Sequence, residues 1–503
     1  MFIYLLITAV SVSVFYLWKT FKYWENEGIP FDKPNIPFGS LKSLMTRERS
    51  FGMAIYDVYN KYKYPFLGIY LMFRPAILIR DATLSKTILT KDFPSFHDRG
   101  IYVDEENDPF SAHLFAAEGQ SWKSLRNKLT PSFTSGKLKA MYPTILETAE
   151  KLTNSLKEQL PKGGSKIIEI KDLMDSFAID IIASVIFGIE IDSFKEPNNE
   201  FRMAGRTSNK PNFLENLRGA ALFLFPQLER VFKLLNIKGE TQEFMKKVVK
   251  ETVEFREKNN VVRKDLMQML IQLRNSGKIN EEDDNWKFQT VSEDLKSMSM
   301  EKLSGQGFLF FAAGFETTSG TASYLLYELT QNPELRDRVV EEIEEVLAKY
   351  DRKLTYEGMQ EMKLLDKCVM ETSRKYPGLP ILNRVCTQDY KVPESHYTIK
   401  KGTPIIISLM GLHRDPEHFP DPLKFDPERF ENNLYNPSAY MPFGEGPRNC
   451  IAFRMGRVGA MTGVISVLSN FNIECKEKRE LEIDNYSIAI VPKGGVNIKF
   501  TRK

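Results

Sequence analysis

Residues 440–468 read YMPFGEGPRNCIAFRMGRVGAMTGVISVL. A loop rich in glycine and proline here delivers a single cysteine, Cys450, to the start of an apolar helix. Turn amides and the positive helix end lower a thiol's pKa, and Arg448 adds a nearby cation, so the placement favours a thiolate. A buried structural cysteine is the competing reading. The helix carries a second signal. At about 100° per residue, Ala452, Gly456, Gly459, Ala460 and Gly463 fall on one arc. Interior glycines cost a helix roughly 1 kcal/mol each, so a neighbour must approach that face closely, whether another helix or a cofactor.

Outward from this stretch, residues 307–333 (GFLFFAAGFETTSGTASYLLYELTQNP) form a long apolar helix ended by Asn332-Pro333. Ala312, Ala313, Glu316, Thr317 and Gly320 make a small or polar stripe, with Phe308, Phe311 and Phe315 largely opposite. A carboxylate beside a hydroxyl in such a helix can relay protons into a pocket. Equally, Thr317 can back-bond to the carbonyl of Ala313 and bend the helix. In CVMETSRKYPGLP (368–380), Glu371 and Arg374 stand three apart on a helix that should end before Pro377. Arg429, in the PERF of 427–430, can close a carboxylate-centred network with them.

The rest of the chain frames these stretches. With 503 residues, 42% hydrophobic and 27% charged, it can bury a large core, and no flexible or charge-block linker divides it after the first forty residues. Helical periodicity dominates from residue 51: 50–62, 85–93, 135–160, 170–188, 241–260, and 296–349 in two or three pieces. Strand-like runs are few, suggesting hairpins at 64–80 and around Lys493 to Gly495, and a strand pair within 397–409. The predicted class is mainly α with minor β-sheets, in one large domain over 41–503. A net charge of +3 argues against a nucleic-acid partner. Four scattered cysteines and five histidines, without C-x-x-C or H-E-x-x-H, exclude a disulfide framework and a metal held by protein ligands alone. Residues 1–18 lack any charged side chain and are followed by Lys19 and Lys22. They read as an uncleaved transmembrane anchor with the body on the cytosolic side, with Trp18, Tyr23 and Trp24 as interfacial residues. Pro30, Pro34 and Pro37 make 19–40 a stiff hinge expected to stand off the body.

Taken together, FGEGPRNC at 443–450, PERF at 427–430, E-x-x-R at 371–374 and AGFETT at 313–318 resemble the cytochrome P-450 haem-thiolate monooxygenases in order and spacing, over essentially the whole chain. HDRG at 97–100, 119–139 and LHRDPEHFPDP at 412–422 are similar to the insect microsomal, xenobiotic-metabolising branch. The resemblance implies haem b with Cys450 as axial ligand of the iron and Phe443 packed beside the sulfur. It makes Trp122, Arg126, Arg384 and Arg448 partners of the haem propionates, and Glu371, Arg374 and Arg429 a structural network. Glu316 and Thr317 become the acid–threonine pair that delivers protons during O–O cleavage. Substrate lining is implied near 101–115, 201–213, 308–315, 379–382 and 486–488, with Phe110, Phe115, Phe308, Phe311, Leu379 and Tyr486 as its candidates. Two positions depart from the family pattern: Ala452 replaces a glycine, and Gly378 stands where a second proline is common.

The function implied by the resemblance is oxygen insertion into apolar small molecules, such as plant toxins or insecticides, by an enzyme anchored in the endoplasmic reticulum membrane. Electrons would come from NADPH through a separate NADPH-cytochrome P-450 reductase, with cytochrome b5 as a second donor. No flavin domain is apparent, and Gly305-x-Gly307 has Phe310 where a dinucleotide fingerprint needs its third glycine. Lys123, Lys128, Lys137, Lys139, Arg454 and Arg457 suit an acidic docking face. The rivals are an O2-independent haem-thiolate isomerase or lyase, oxidation of an endogenous lipid or hormone, and a haem-carrying sensor. A hydrolase is excluded by the lack of a G-x-S-x-G elbow.

Overall fold

The computed structural model describes residues 4, 15–209, 225, 239–280, 282, 285–431, 434–475, 481–487 and 489–503. Among its longer helices are, in chain order, α1 (Phe51–Lys61), α2 (Gly119–Leu129), α3 (Ser135–Gln159), α4 (Ile170–Ile182), α5 (Glu240–Asn259), α6 (Met300–Gln331), α7 (Pro333–Lys349), α8 (Lys363–Lys375) and α9 (Phe453–Leu468). The Ser299 hydroxyl accepts from the Lys302 amide and opens α6. Asn332 leaves the helical region, and Pro333 restarts the chain as α7. Between these ends α6 crosses the molecule, packed on α4, α5 and α9.

A four-stranded sheet comprises β1 (Phe66–Leu71), β2 (Arg74–Ile79), β4 (Ile381–Val385) and β5 (Pro404–Ser408), and β3 (Ser165–Glu169), β6 (Phe471–Glu474) and β7 (Asn497–Arg502) form a second. Their orders are β1-β2-β5-β4 and β3-β7-β6. The predicted hairpin at 64–80 is β1–β2, antiparallel from Phe66↔Ile79 to Leu71↔Arg74. The other two strand predictions need correction. Within 397–409 the strands do not pair with each other: β5 lies parallel to β2 and antiparallel to β4, buried along its whole length. Among the described residues no hairpin turns at Lys493 to Gly495: Pro492 bridges back to Ile483, and β7 pairs with β3 and β6. Long-range burial decides both cases, and local turn signals carry no information about it.

The hinge also differs from expectation, because 19–40 lies along β1 instead of standing off. Its backbone exchanges bonds with the strand, Asp32 N–H to Gly68 O at 2.9 Å and Ser40 N–H to Tyr70 O at 2.9 Å. Trp24 is fully buried, its indole N–H donating to Ile69 O at 2.9 Å, so it is a core residue and not an interfacial anchor. The predicted anchor, 1–18, lies for the most part outside the described residues. Among the described residues no helix is long and apolar enough to cross a membrane.

Candidate functional site

Two hydrophobic cores, one helical and one centred on the four-stranded sheet, meet at a cavity whose walls draw on both: Ile182 and Val369 from the first, Leu382 and Leu409 from the second. It encloses about 1710 Å³, including its open mouth. Cys450, Phe443, Ala452 and Gly456 form one wall. Gly444 and Gly446 both take positive φ, and a Cβ on Gly446 would lie 1.8 Å from Leu89 O, so this turn requires glycine there. The Cys450 amide donates to Phe443 O at 2.8 Å, and Arg126 grips the neighbouring Asn449 through its carbonyl and side-chain oxygens, both at 2.8 Å.

Cys450 presents its surface to this cavity yet sits deep in protein, and burial pushes its thiol pKa up. The Ala452 backbone, Arg126 and Arg99 pull it back without cancelling the rise. This corrects the sequence-based expectation of a lowered pKa. Arg448 does not act on the sulfur, because its guanidinium donates to Phe115 O (3.3 Å) and Ala117 O (2.6 Å) and lies 3.5 Å from Asp98 Oδ1. A metal is therefore the natural agent to hold the sulfur deprotonated.

The glycine face of α9 divides between the two alternatives. A Cβ on Gly456 would meet nothing within 4 Å, on the cavity side, whereas Cβ atoms on Gly459 and Gly463 would press on Thr318 (3.1 Å) and Phe177 (2.7 Å). Close helix packing explains the last two, and an open face explains the first.

Around the cavity gather Arg99, Arg126 and Arg448, with Arg384 buried behind the lining. Burial, reinforced by Arg448, pushes Arg384 down to about 9; burial first also pushes Arg448 down to about 10, and burial with neighbouring arginines holds Arg99 well below its ordinary value. The Nε atoms of Arg99, Arg384 and Arg448 are buried without a hydrogen-bond partner. Such a cluster calls for an anion with several oxygens. Trp122 lies beneath Arg448, 4.3 Å from its guanidinium carbon. A flat macrocycle bearing two carboxylates, with a thiolate on one face and room over Gly456, fits these residues, and haem b is such a group. Arg99 belongs to the HDRG of 97–100, which the sequence marks only as a likeness and to which spacing alone gives no role.

Thr317 lines the cavity and donates to Ala313 O at 2.8 Å, so the back-bonded arrangement is the observed one, at a position that still faces the site. Glu316 lies outside the lining, buried against Lys171 with Nζ–Oε1 at 3.0 Å. Burial works against the Lys171 charge, but Asp175 and Glu316 more than offset it and raise its pKa. Gly378 faces Thr317, and a Cβ there would stand 3.2 Å from Thr317 Cγ2. Glu371, Arg374 and Arg429 do form the buried network: Arg374 donates to both Glu371 oxygens (2.8 and 2.9 Å) and Arg429 Nε to Oε1 (3.1 Å).

Of the pocket candidates, Phe115 and Leu379 line the cavity. Phe110, Phe308, Phe311 and Tyr486 do not: Phe110 packs on Phe308, Phe311 is fully buried beside Phe201 and Phe315, and Tyr486 is exposed under Arg47. The face of α6 that meets the cavity is Leu309, Phe310, Ala313, Gly314, Thr317, Thr318 and Thr321, within and beyond the expected 308–315, while Phe308 and Phe311 stand one step round the helix from it. Part of 201–213 and residue 488 lie outside the described residues. Of the docking cations, Lys137 is buried against Trp286 and Glu282 O, Lys139 pairs with Glu357 and Arg457 with Asp366. Lys123, Lys128 and Arg454 are exposed.

A family model for cytochrome P450 matches residues 30–500. The chain is 52% identical over 504 residues to the probable cytochrome P450 6d5 of Drosophila melanogaster, covering 100% of this chain and 99% of that protein. It is 48% identical over 515 residues to cytochrome P450 6d3 of Musca domestica (100% and 99%) and 40% identical over 507 residues to cytochrome P450 6k1 of Blattella germanica (99% and 96%).

Proposed function

The chain belongs to the cytochrome P450 family, and on that premise we propose that it oxidises bulky apolar xenobiotics, plant toxins or insecticides among them, at the cytosolic face of the endoplasmic reticulum. It is a haem-thiolate monooxygenase that draws electrons from NADPH through a separate reductase. The observation that carries the substrate class is the apolar part of the cavity lining, to which Phe133, Ile181, Ile182, Ile186, Leu309 and Phe310 contribute surface without a directing charge.

When bound, the haem supplies activation of O2, so that one oxygen atom enters the substrate and the other leaves as water. Cys450 would hold the iron, with Phe443 on the same wall restricting water from the sulfur. Arg99, Arg126, Arg384, Arg448 and Trp122 would hold the two carboxylates and fix the ring's orientation. The Thr317 hydroxyl, back-bonded through its one proton, keeps its oxygen as an acceptor on the cavity side, where it can hold a water whose protons face the site; passing its own proton on requires release of Ala313 O. Glu316 would feed that path only by leaving Lys171, so the ion pair sets the cost of its participation. Lys123, Lys128 and Arg454 are the exposed cations suited to an acidic electron donor, the reductase or cytochrome b5.

The deciding experiment is the carbon monoxide difference spectrum of the reduced protein beside Cys450→Ala. A strongly red-shifted Soret band lost in the variant supports the site; a Soret band of ordinary position in the wild type overturns thiolate ligation. Turnover of a panel of plant toxins and insecticides tests the substrate class, and a panel on which only one endogenous steroid or fatty acid reacts would overturn it.

A further inference from the structure

We propose that Gln306 is a positioning residue for the substrate cavity: it clamps the irregular segment 101–118 onto α6 and so fixes the wall made by Leu114 and Phe115. Gln306 is fully buried, and its amide is used in both senses. Oε1 accepts from the Leu114 amide at 2.9 Å, while Nε2 donates to Ala112 O at 3.4 Å and to Lys302 O at 3.0 Å. One turn of helix thereby supplies the hydrogen bonds that a strand partner would otherwise give this segment.

Neighbouring contacts make the same junction. Gly305 lets the Phe110 carbonyl settle on the helix, since a Cβ there would come within 2.3 Å of that oxygen. The rings of Phe110 and Phe308 meet at 5.4 Å, and Lys302 pairs with Glu105, which also accepts from Ser121 Oγ at 2.7 Å. At the segment's far end Arg448 binds Phe115 O and Ala117 O. Leu114 and Phe115 are thus strung between a clamp on α6 and a clamp on the arginine cluster, and both line the cavity. Losing the first clamp frees that wall to move outward and admit larger ligands, while Cys450 and Thr317 keep their places. The inference rests on the cavity being the ligand site, and it is independent of which substrates the enzyme takes.

The test is hydrogen exchange on the full-length holoprotein, with binding of imidazole and 4-phenylimidazole followed by their absorbance shifts. In Gln306→Leu the amides of 110–117 should exchange about five- to tenfold faster, with α6 unchanged, because the Leu114 amide loses its buried acceptor. The affinity ratio should move several-fold toward 4-phenylimidazole. Gln306→Glu keeps the acceptor but not the donor and should fall between. Gly305→Ala breaks the junction through a different contact and should act in the same direction, which keeps the question open to test if Gln306→Leu does not fold. Wild-type exchange in 110–117 overturns the proposal, as does faster exchange spread equally along α6, the mark of a damaged helix. The reduced carbon monoxide spectrum of each variant reports separately on Cys450, so failure of the clamp and failure of the haem-thiolate reading are distinguishable.

Discussion

At the scale of single residues, chemistry was legible where spacing restricts the choice of side chain and obscure where a partner comes from elsewhere in the chain. Cys450 stands out because its loop is built from residues with few other uses, whereas its thiol pKa is raised by burial and only partly restrained by Arg126 and Arg99, which lie far away in the chain. Glu316 was identified as an acid in an apolar helix, but its pairing with Lys171 of α4 has no trace in local sequence. Thr317→Ala should leave the haem spectrum intact while NADPH consumption continues and product formation falls, with peroxide accumulating; equal product per NADPH in the two proteins would remove Thr317 from proton delivery. A different carboxylate predicts a pH effect. Asp180 is buried, accepts twice from the Ser193 amide, and has Lys151 and Asp192 as its charged neighbours. Burial above all pushes its pKa from 3.8 to about 6. The folded chain therefore holds this proton at a pH where the unfolded chain has released it. Its stabilising contribution is complete below about pH 4 and is lost as pH rises through 6. Asp180→Asn should gain on the wild type across that window, by at most about 3 kcal/mol at neutral pH, read from denaturation midpoints at pH 5 and pH 7.5.

Secondary-structure elements were recovered where the signal is local. The break between α6 and α7 at Asn332-Pro333 and the β1–β2 hairpin follow from neighbouring residues alone. The parallel pairing of β2 with β5 spans more than three hundred residues, and only the shared burial of Ile77 to Ile79 against Ile405 to Ile407 selects it. The α9 glycines predict a pair of opposite outcomes. Gly463→Ala should destabilise the fold, because about 1–3 kcal/mol of overpacking against Phe177 outweighs the roughly 1 kcal/mol gained in helix propensity. Gly456→Leu meets no protein atom at its Cβ and extends over the cavity, so it should lower haem content while the haem-free variant melts at the temperature of the haem-free wild type. Circular dichroism melts beside pyridine haemochrome assays separate the two.

For the whole molecule, the main revision concerns the first forty residues. A proline-rich run after an apolar one reads as a spacer, yet Trp24, Ile29 and Leu41 are buried in the sheet-centred core. Side-chain burial of this kind cannot be inferred from proline spacing. Removing residues 1–18 should therefore leave soluble, heat-resistant holoprotein, whereas removing 1–41 should uncover β1 and cause early aggregation on heating. Trp24→Ala alone should cost about 3–5 kcal/mol. Residual haem absorbance after graded heating would show the difference, and equal survival of the two truncations would contradict the docked arrangement.

The arginines around the cavity bear on how the protein accumulates in a cell. Four clustered like charges oppose folding until two carboxylates lie among them, and a ligand that binds only the folded chain stabilises it in proportion to the logarithm of its concentration. Porphyrin supply thus becomes a control on protein abundance: newly made chain that outruns it remains marginal and is open to proteolysis, and matching translation to porphyrin synthesis would raise the yield of intact enzyme without any change to the sequence.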